Sequence, residues 1–486
     1  MMKTFATGPV RPSGLQPAAA AAAAVLLALA LAACTRPASP ARDPAAAPRP
    51  AVRAASLPPI EKGDTVVSIT FDNNWKSQMT AAADLKAHGM AGTFYIISGW
   101  VGGPSFMSLP DLRALAADGN EIGGKTVSDA DLPQLTAAEA EREICLGRDA
   151  LLADGFQVTD FAYPFAKLNA EDETLVRRCG FNSGRGVGDV ENPVPGGCHY
   201  PSCAYAESIP PADPYHIITP SDGRSSTTLS SLEQTVTNAK THGGGWLVFS
   251  FHQICDTSSP GCGPVYSFPP ARFSAFLTWL QGQEANGVLV RTVRQVIGGP
   301  VQPPVHAPAA TASPPGSNAL VNPDLRTAGP ADPSQPQCWT PARYGTNSAA
   351  FSWSPDGGPG GSGEETITMR DLRSGDAKLV TTFDLGQCAP TVKSGIPCRL
   401  SVSYKSSVPV FLTVYWRSGN GTWSEWTRSP SFPPSARWRR AAWLTPPVPA
   451  GIRALSFGMT IASNGTLSTA NYGLSLMPAG PASHPA

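Results

Sequence analysis

Residues 65–74 read Thr-Val-Val-Ser-Ile-Thr-Phe-Asp-Asn-Asn, a run rich in β-branched side chains that stops at an acidic residue and two asparagines. Such a run predicts a strand over 65–71. It leaves Asp72 at the strand's carboxyl end, where barrel enzymes gather their catalytic groups. Outward from it, strand-like runs at 92–97, 120–123, 159–163, 246–252 and 288–292 alternate with helical patterns. That alternation predicts a parallel α/β domain over 64–298 with helices packed outside the sheet. The best-marked helix begins at Thr136, a capping residue with Glu139 placed to complete a capping box and Ile144, Leu151 and Leu152 on one face. Another runs from Pro270, with Phe273, Phe276, Leu277 and Leu280 on its buried stripe.

Beyond this domain the character changes. Residues 299–317 are a Pro/Ala-rich linker, and 318–480 carry alternating runs such as 399–404, 409–416 and 454–461 between Gly/Ser/Pro turns. They predict an antiparallel, all-β sandwich, followed by a short tail over 481–486. At 486 residues the chain has room for both cores.

The other end reads as an export signal. Lys3 and Arg11 precede an Ala/Leu-rich run over 18–33, which is expected to be removed. It closes on Leu31-Ala32-Ala33-Cys34, which resembles the lipobox of bacterial lipoproteins, so Cys34 is the expected lipidation site and the chain's expected place is the outer side of a cell membrane. An ordinary signal peptide cut near Ala33 is the plainer alternative. Residues 34–63, rich in Pro, Ala and Arg, then form a flexible stalk.

With 36 basic and 36 acidic residues the net charge is zero, and no Lys/Arg-rich block offers a phosphate-binding surface, so nucleic acid is not an expected partner. The chain is expected to act as a monomer. Of ten cysteines, setting Cys34 aside leaves an odd number. Close spacing pairs Cys198 with Cys203 and Cys255 with Cys262. Cys145 with Cys179 and Cys338 with Cys388 complete a reasonable set, and Cys398, in an apolar run, remains as a buried thiol.

Four further runs surround the first strand with candidate chemistry. They are Thr70-Phe71-Asp72-Asn73-Asn74, residues 121–129 (Glu-Ile-Gly-Gly-Lys-Thr-Val-Ser-Asp), Ala162-Tyr163-Pro164-Phe165 and Val248-Phe249-Ser250-Phe251-His252. In order and spacing they resemble the T-F-D-D-G, H-[ST]-x-x-H, R-x-P-[FY] and late strand–histidine motifs of the polysaccharide deacetylase (NodB-homology) family. The resemblance covers roughly half the chain. It implies a deformed (β/α) barrel and a hydrolase acting on carbon–nitrogen bonds other than peptide bonds. It also implies Zn2+ or another divalent metal, which polarises an acetyl carbonyl and activates water. By position, Asp72 is then the base, His252 the acid, and the Phe165 backbone N–H an oxyanion donor. The expected partner is an N-acetylated polysaccharide, either cell-wall glycan or chitin-like.

The family's three metal-ligand positions fall on Asn73, Lys125 and Asp129. Asn73 offers a neutral carbonyl oxygen and Asp129 a carboxylate, whereas an ammonium at Lys125 has no lone pair to give. The family's base-orienting arginine falls on Ala162, which leaves Asp72 without that anchor. Two arrangements stay open. Lys125 either fills the metal position, pairing with Asp72 and Asp129, or swings outward over a weaker metal site. His252 read alone is as consistent with a satisfied core histidine as with an acid.

A loop clipped by Cys255 and Cys262 and led by Gln253 is expected to border the pocket. Trp75 and Trp100 there suit either sugar stacking or loop anchoring. Seven of the eleven tryptophans lie after residue 317, in a region that looks like the carbohydrate-binding-module class of sandwiches. They serve either as core or as sugar platforms. Three functions follow: a surface deacetylase, a catalytically silent glycan-binding lipoprotein, and a structural envelope lipoprotein.

Overall fold

In the computed structural model, residues 57–191, 193, 198 and 203–478 are described. The export signal, Cys34, most of the stalk and the tail lie outside them. No described helix is long and apolar enough to cross a membrane.

The first region runs β1 (Thr65–Asp72), α1 (Gln78–Ala87), β2 (Thr93–Ile96), α2 (Leu109–Ala117), β3 (Glu121–Gly124), α3 (Ala137–Ala153), β4 (Asp160–Ala162), α4 (Ala170–Arg178), β5 (Ser183–Asp189) and β6 (Ile217–Thr219). It continues with α5 (Leu229–Thr241), β7 (Gly245–Phe251), the short pair β8 (Gln253–Ile254) and β9 (Ser267–Phe268), α6 (Pro270–Gln283), β10 (Val288–Val290) and α7 (Val293–Ile297). Eight strands join in one sheet, ordered β10-β1-β2-β3-β4-β5-β6 with β7 also on β1, and every pairing is parallel.

The deformation of this barrel is visible at β1. One of its edges is occupied along its length by β7. The other is divided between β10, which pairs with Thr65, Val66 and Val67, and β2, which pairs with Thr70, Phe71 and Asp72. No ladder joins β6 to β7 among the described residues, and only single bridges such as Gly223 to Phe251 approach that gap. With both edges paired and both faces covered, all of β1 is buried, as a central parallel strand must be.

The expected strands appear within a residue or two of their boundaries. Two others, β5 and β6, were not anticipated: β5 reads Ser-Gly-Arg-Gly-Val-Gly-Asp and β6 has three residues, so neither carries an apolar period. Helix α3 starts at Thr136 as expected, its side chain accepting from Glu139 N at 3.4 Å. The capping box is not formed. The Glu139 carboxylate instead pairs with Arg142 at 2.7 Å and accepts from Leu385 N of the C-terminal region, while Gln387 Oε1 takes the Thr136 N–H at 2.9 Å. A partner distant in sequence has displaced the local cap.

The C-terminal region holds β11 (Trp339–Tyr344), β12 (Ser348–Ser354), β13 (Glu364–Arg370), β14 (Asp376–Thr381), β15 (Cys398–Ser406), β16 (Val410–Ser418), β17 (Trp423–Arg428), β18 (Ser435–Leu444), β19 (Ile452–Ile461) and β20 (Gly465–Leu476). They form two five-stranded antiparallel sheets, β11-β14-β19-β16-β17 and β12-β13-β20-β15-β18, whose inner residues make one core. Trp339 is buried in it and Trp353, Trp416, Trp426 and Trp443 pack against it. Core filling is thus the role of most of these aromatics. Of residues 299–317, those at 302–306 lie against α3: buried Arg148 donates to the carbonyls of Gln302 (2.7 Å) and Pro303 (3.2 Å), and His306 pairs with Asp149 at 2.6 Å, whereas Gly316 N donates to Leu476 O at 3.1 Å.

The disulfides are Cys145–Cys179, which ties α3 to the end of α4, Cys198–Cys203, Cys255–Cys262 and Cys338–Cys388. Cys398 is a buried free thiol, pushed up to about 12 by burial. The two pairs read from close spacing, the two that completed the set and the remaining thiol are all found as expected.

Candidate functional site

The carboxyl ends of β1, β3 and β7, together with Arg185 inside β5, converge on Asp72. After β1 the chain turns sharply, with Asn73 and Asn74 both at positive φ (72° and 37°), a region asparagine enters more readily than most side chains. Asn74 is fully buried, its Oδ1 accepting from Ile97 N at 3.0 Å, so the turn is locked against the end of β2. Gln78, also fully buried, spans the site from below: its Nε2 donates to the carbonyl of Asp72 at 2.7 Å and to that of His252 at 2.8 Å. One amide thereby fixes the end of β1 relative to the residue that follows β7.

Lys125, directly after β3, is 3% exposed. Its Nζ lies 3.3 Å from Asp72 Oδ2 and 3.6 Å from Asp129 Oδ1. The inward arrangement of the lysine is therefore the one the structure adopts. Asp129 sits at φ 61° at the end of a turn in which its N–H donates to Thr126 Oγ1 at 2.8 Å.

The absence of an arginine at Ala162 does not leave Asp72 unanchored. Arg185, on the adjacent strand and in direct register with Ala162, is 1% exposed and its Nη2 donates to Asp72 Oδ1. Its guanidinium also lies over the Tyr95 ring, 4.9 Å from the centroid. The expectation of a loosely held base is corrected: the anchor comes from one strand further on. Sequence reading missed it because Arg185 lies in a glycine-rich strand that carries no family motif, and only the register of β4 with β5 brings it to the site.

The electrostatics follow from this packing. Burial alone would raise the Asp72 carboxyl, but Arg185, then Lys125, then His252 hold it down at about 2. His252 is lowered from its ordinary value, first by burial, with Asp222 and Asp72 opposing and Lys125 and Arg185 adding to the shift. A general base or acid works best with a pKa near the operating pH. Here the carboxylate is doubly paired and held well below that range, while the imidazole is biased toward its neutral form.

The remaining candidates take their places around this centre. Phe165 follows β4 at φ 57° and is 44% exposed at the strand's carboxyl end. Gln253 braces the Cys255–Cys262 loop from inside, donating to Gly261 O at 2.8 Å and accepting from Gly263 N at 2.7 Å. Tyr266 from that loop lies 4.8 Å from the His252 ring. Trp75 and Trp100 both pack on Phe106 (4.7 and 4.8 Å), which makes them loop anchors.

A divalent metal does not fit the residues present. No group of three or more His, Cys, Asp or Glu side chains converges among the described residues in a way that could hold one. The two carboxylates available are already neutralised by buried cations, and the third family position offers only the amide oxygen of Asn73.

Residues 60–184 match the family model described as Polysaccharide deacetylase. No curated protein matches the chain. Solved structures similar to it include the Xyl-CE4 domain of a multidomain xylanase from the hindgut metagenome of Trinervitermes trinervoides (15% identity, TM-score 0.32, 49% of this chain and 94% of that one). Others are the peptidoglycan deacetylase PdaC from Bacillus subtilis (16%, 0.29, 48% and 90%) and a CE4 family pseudoenzyme from Bacillus anthracis (13%, 0.33, 49% and 66%).

Proposed function

We propose that this chain is a catalytically silent, glycan-binding protein of the cell surface, built on a polysaccharide deacetylase barrel and held to the membrane through a lipid on Cys34. Its ligand is an N-acetylated polysaccharide of the wall or chitin type. The observation that carries the reading is the buried Lys125 ammonium within 3.3 Å of Asp72 and 3.6 Å of Asp129. A charge of the metal's own sign occupies the interior of the ligand set, and admitting a cation there would require turning a buried lysine out of two ion pairs. Asp72 and His252 remain as polar groups able to hydrogen-bond a sugar, with Phe165 and Tyr266 exposed at 44% each as stacking faces nearby.

The test is acetate release from chitin oligomers and peptidoglycan with added Zn2+, run beside the triple revertant Asn73→Asp, Lys125→His, Asp129→His, together with sedimentation of both proteins with the same polymers. The native protein is expected to bind the polymer and release no acetate, with turnover gained only in the revertant. Acetate release by the native protein equal to that of the revertant would overturn the silent reading, and absence of polymer binding would overturn the glycan-binding one.

A further inference from the structure

The segment carrying Lys125 and Asp129 is held from two sides, and one of them belongs to the C-terminal region. From within the barrel domain, Glu143 of α3 clamps its middle: Ser128 N donates to Glu143 Oε2 at 2.9 Å, Ser128 Oγ to Glu143 Oε1 at 2.8 Å, and Val127 N to the Glu143 carbonyl at 3.1 Å. From the other side comes Gly421, in the turn between β16 and β17. A Cβ placed there would lie 2.4 Å from Val127 Cγ1, so the turn's backbone rests directly on the Val127 side chain. Val127 is 1% exposed.

The same interface fixes α3. Gln387 Oε1 accepts from Thr136 N (2.9 Å) and Oγ1 (3.1 Å), Glu139 accepts from Leu385 N, and buried Arg417 holds the 384–389 loop by donating to Asp384 O at 2.6 Å. An appended binding module needs no such engagement with the helix and loop behind the site.

We infer that the C-terminal region is a positioning element of the barrel site, with Gly421 and Glu143 acting as the two jaws that keep the 125–129 turn closed and the Lys125 ammonium on Asp72. The inference rests on the reading above that Lys125 is seated in the site, and it adds what keeps it there. Burial and the charge of Glu139 push the Glu143 carboxyl up to about 8, so a glutamine, which accepts from Ser128 N and donates to Ser128 Oγ, is its close mimic at neutral pH.

The test is reductive methylation of the full chain at pH 7, read lysine by lysine by mass spectrometry. Lys378, 2% exposed within the C-terminal sheets, serves as an internal control for global unfolding. In the parent both Lys125 and Lys378 should be protected. In Gly421→Ala and in Glu143→Ala, methylation of Lys125 should rise by about tenfold or more, as local opening does, with Lys378 still protected. Glu143→Gln should restore protection.

Gly421 is at φ +87° and Gly451 at φ +82° with nothing within 4 Å, so Gly451→Ala controls for backbone strain and should leave Lys125 protected. Lys125 as protected in both alanine variants as in the parent overturns the inference. Free labelling of Lys125 in the parent instead overturns the seated-lysine reading beneath it. Should Gly421→Ala expose Lys378 as well, Glu143→Ala decides alone.

Discussion

The two ends of one barrel solve the same electrostatic problem in opposite ways. At the mouth, Asp72 and Asp129 are buried beside Lys125 and Arg185, and two cations compensate two carboxylates. At the floor, Glu121 and Asp160 open β3 and β4, both buried, with no ion pair to either among the described residues. Thr93 Oγ1 (2.9 Å) and Arg294 N (2.8 Å) donate to Glu121 Oε2, and Ser183 Oγ (2.6 Å) donates to Asp160 Oδ1. Burial, and after it the neighbouring Asp160 charge, push the Glu121 carboxyl well above its ordinary value, which disfavours its charged form. The floor thus buries two carboxyl groups among hydrogen-bond donors and without a cation. The cations at the mouth keep Asp72 charged.

The sharpest way to break that contrast is Asp72→Asn. It strands Arg185 and leaves Lys125 with Asp129 alone, both cations remaining buried, so urea unfolding at pH 7 should show a loss of about 3–5 kcal/mol, typical of removing one partner from a buried pair. The pH dependence has a definite sign. Because the folded carboxyl sits at about 2 against an ordinary 3.8, its contribution is complete above about pH 4 and disappears as pH falls toward 2. The variant should lack that acid limb. A loss under about 1 kcal/mol would mean that the mouth, like the floor, is not cation-compensated.

The smallest effect is expected at the floor. Glu121→Gln replaces a carboxyl whose charged form burial disfavours with a neutral group of the same shape, so the cost at pH 7 should stay within about 1 kcal/mol. Since the folded carboxyl is raised, its stabilisation is present at low pH and lost as pH rises past the ordinary 4.5, so the glutamine variant should have a flatter alkaline profile in the same unfolding series. A loss comparable to that of Asp72→Asn would show that Glu121 is ionised and paired after all.

What was legible in the sequence had local signals. The β-branched run ending at Asp72 and the close cysteine spacings each carried their meaning within a few residues, and the strand, Cys198–Cys203 and Cys255–Cys262 follow them, whereas the choice between the two arrangements of Lys125 needed the structure. What was not legible depends on tertiary pairing. Arg185 reaches Asp72 only because β4 and β5 align Ala162 with it, and glycine on either side of it hides the strand that makes this possible. Gln78 carries no motif of its own, yet its amide joins the ends of two strands distant in sequence. Thr136 correctly announced α3, but Glu139 was drawn away from the local cap by Arg142 and Leu385, a competition that no window of sequence contains.

The central claim is that a lysine, and not a metal ion, compensates the carboxylates at the mouth. Crystals grown with excess Zn2+ and measured at the zinc absorption edge test it most directly. The account predicts no anomalous peak between Asp72 and Asp129, with the Lys125 ammonium at that point. A full-occupancy peak there, with the lysine turned away, would contradict it.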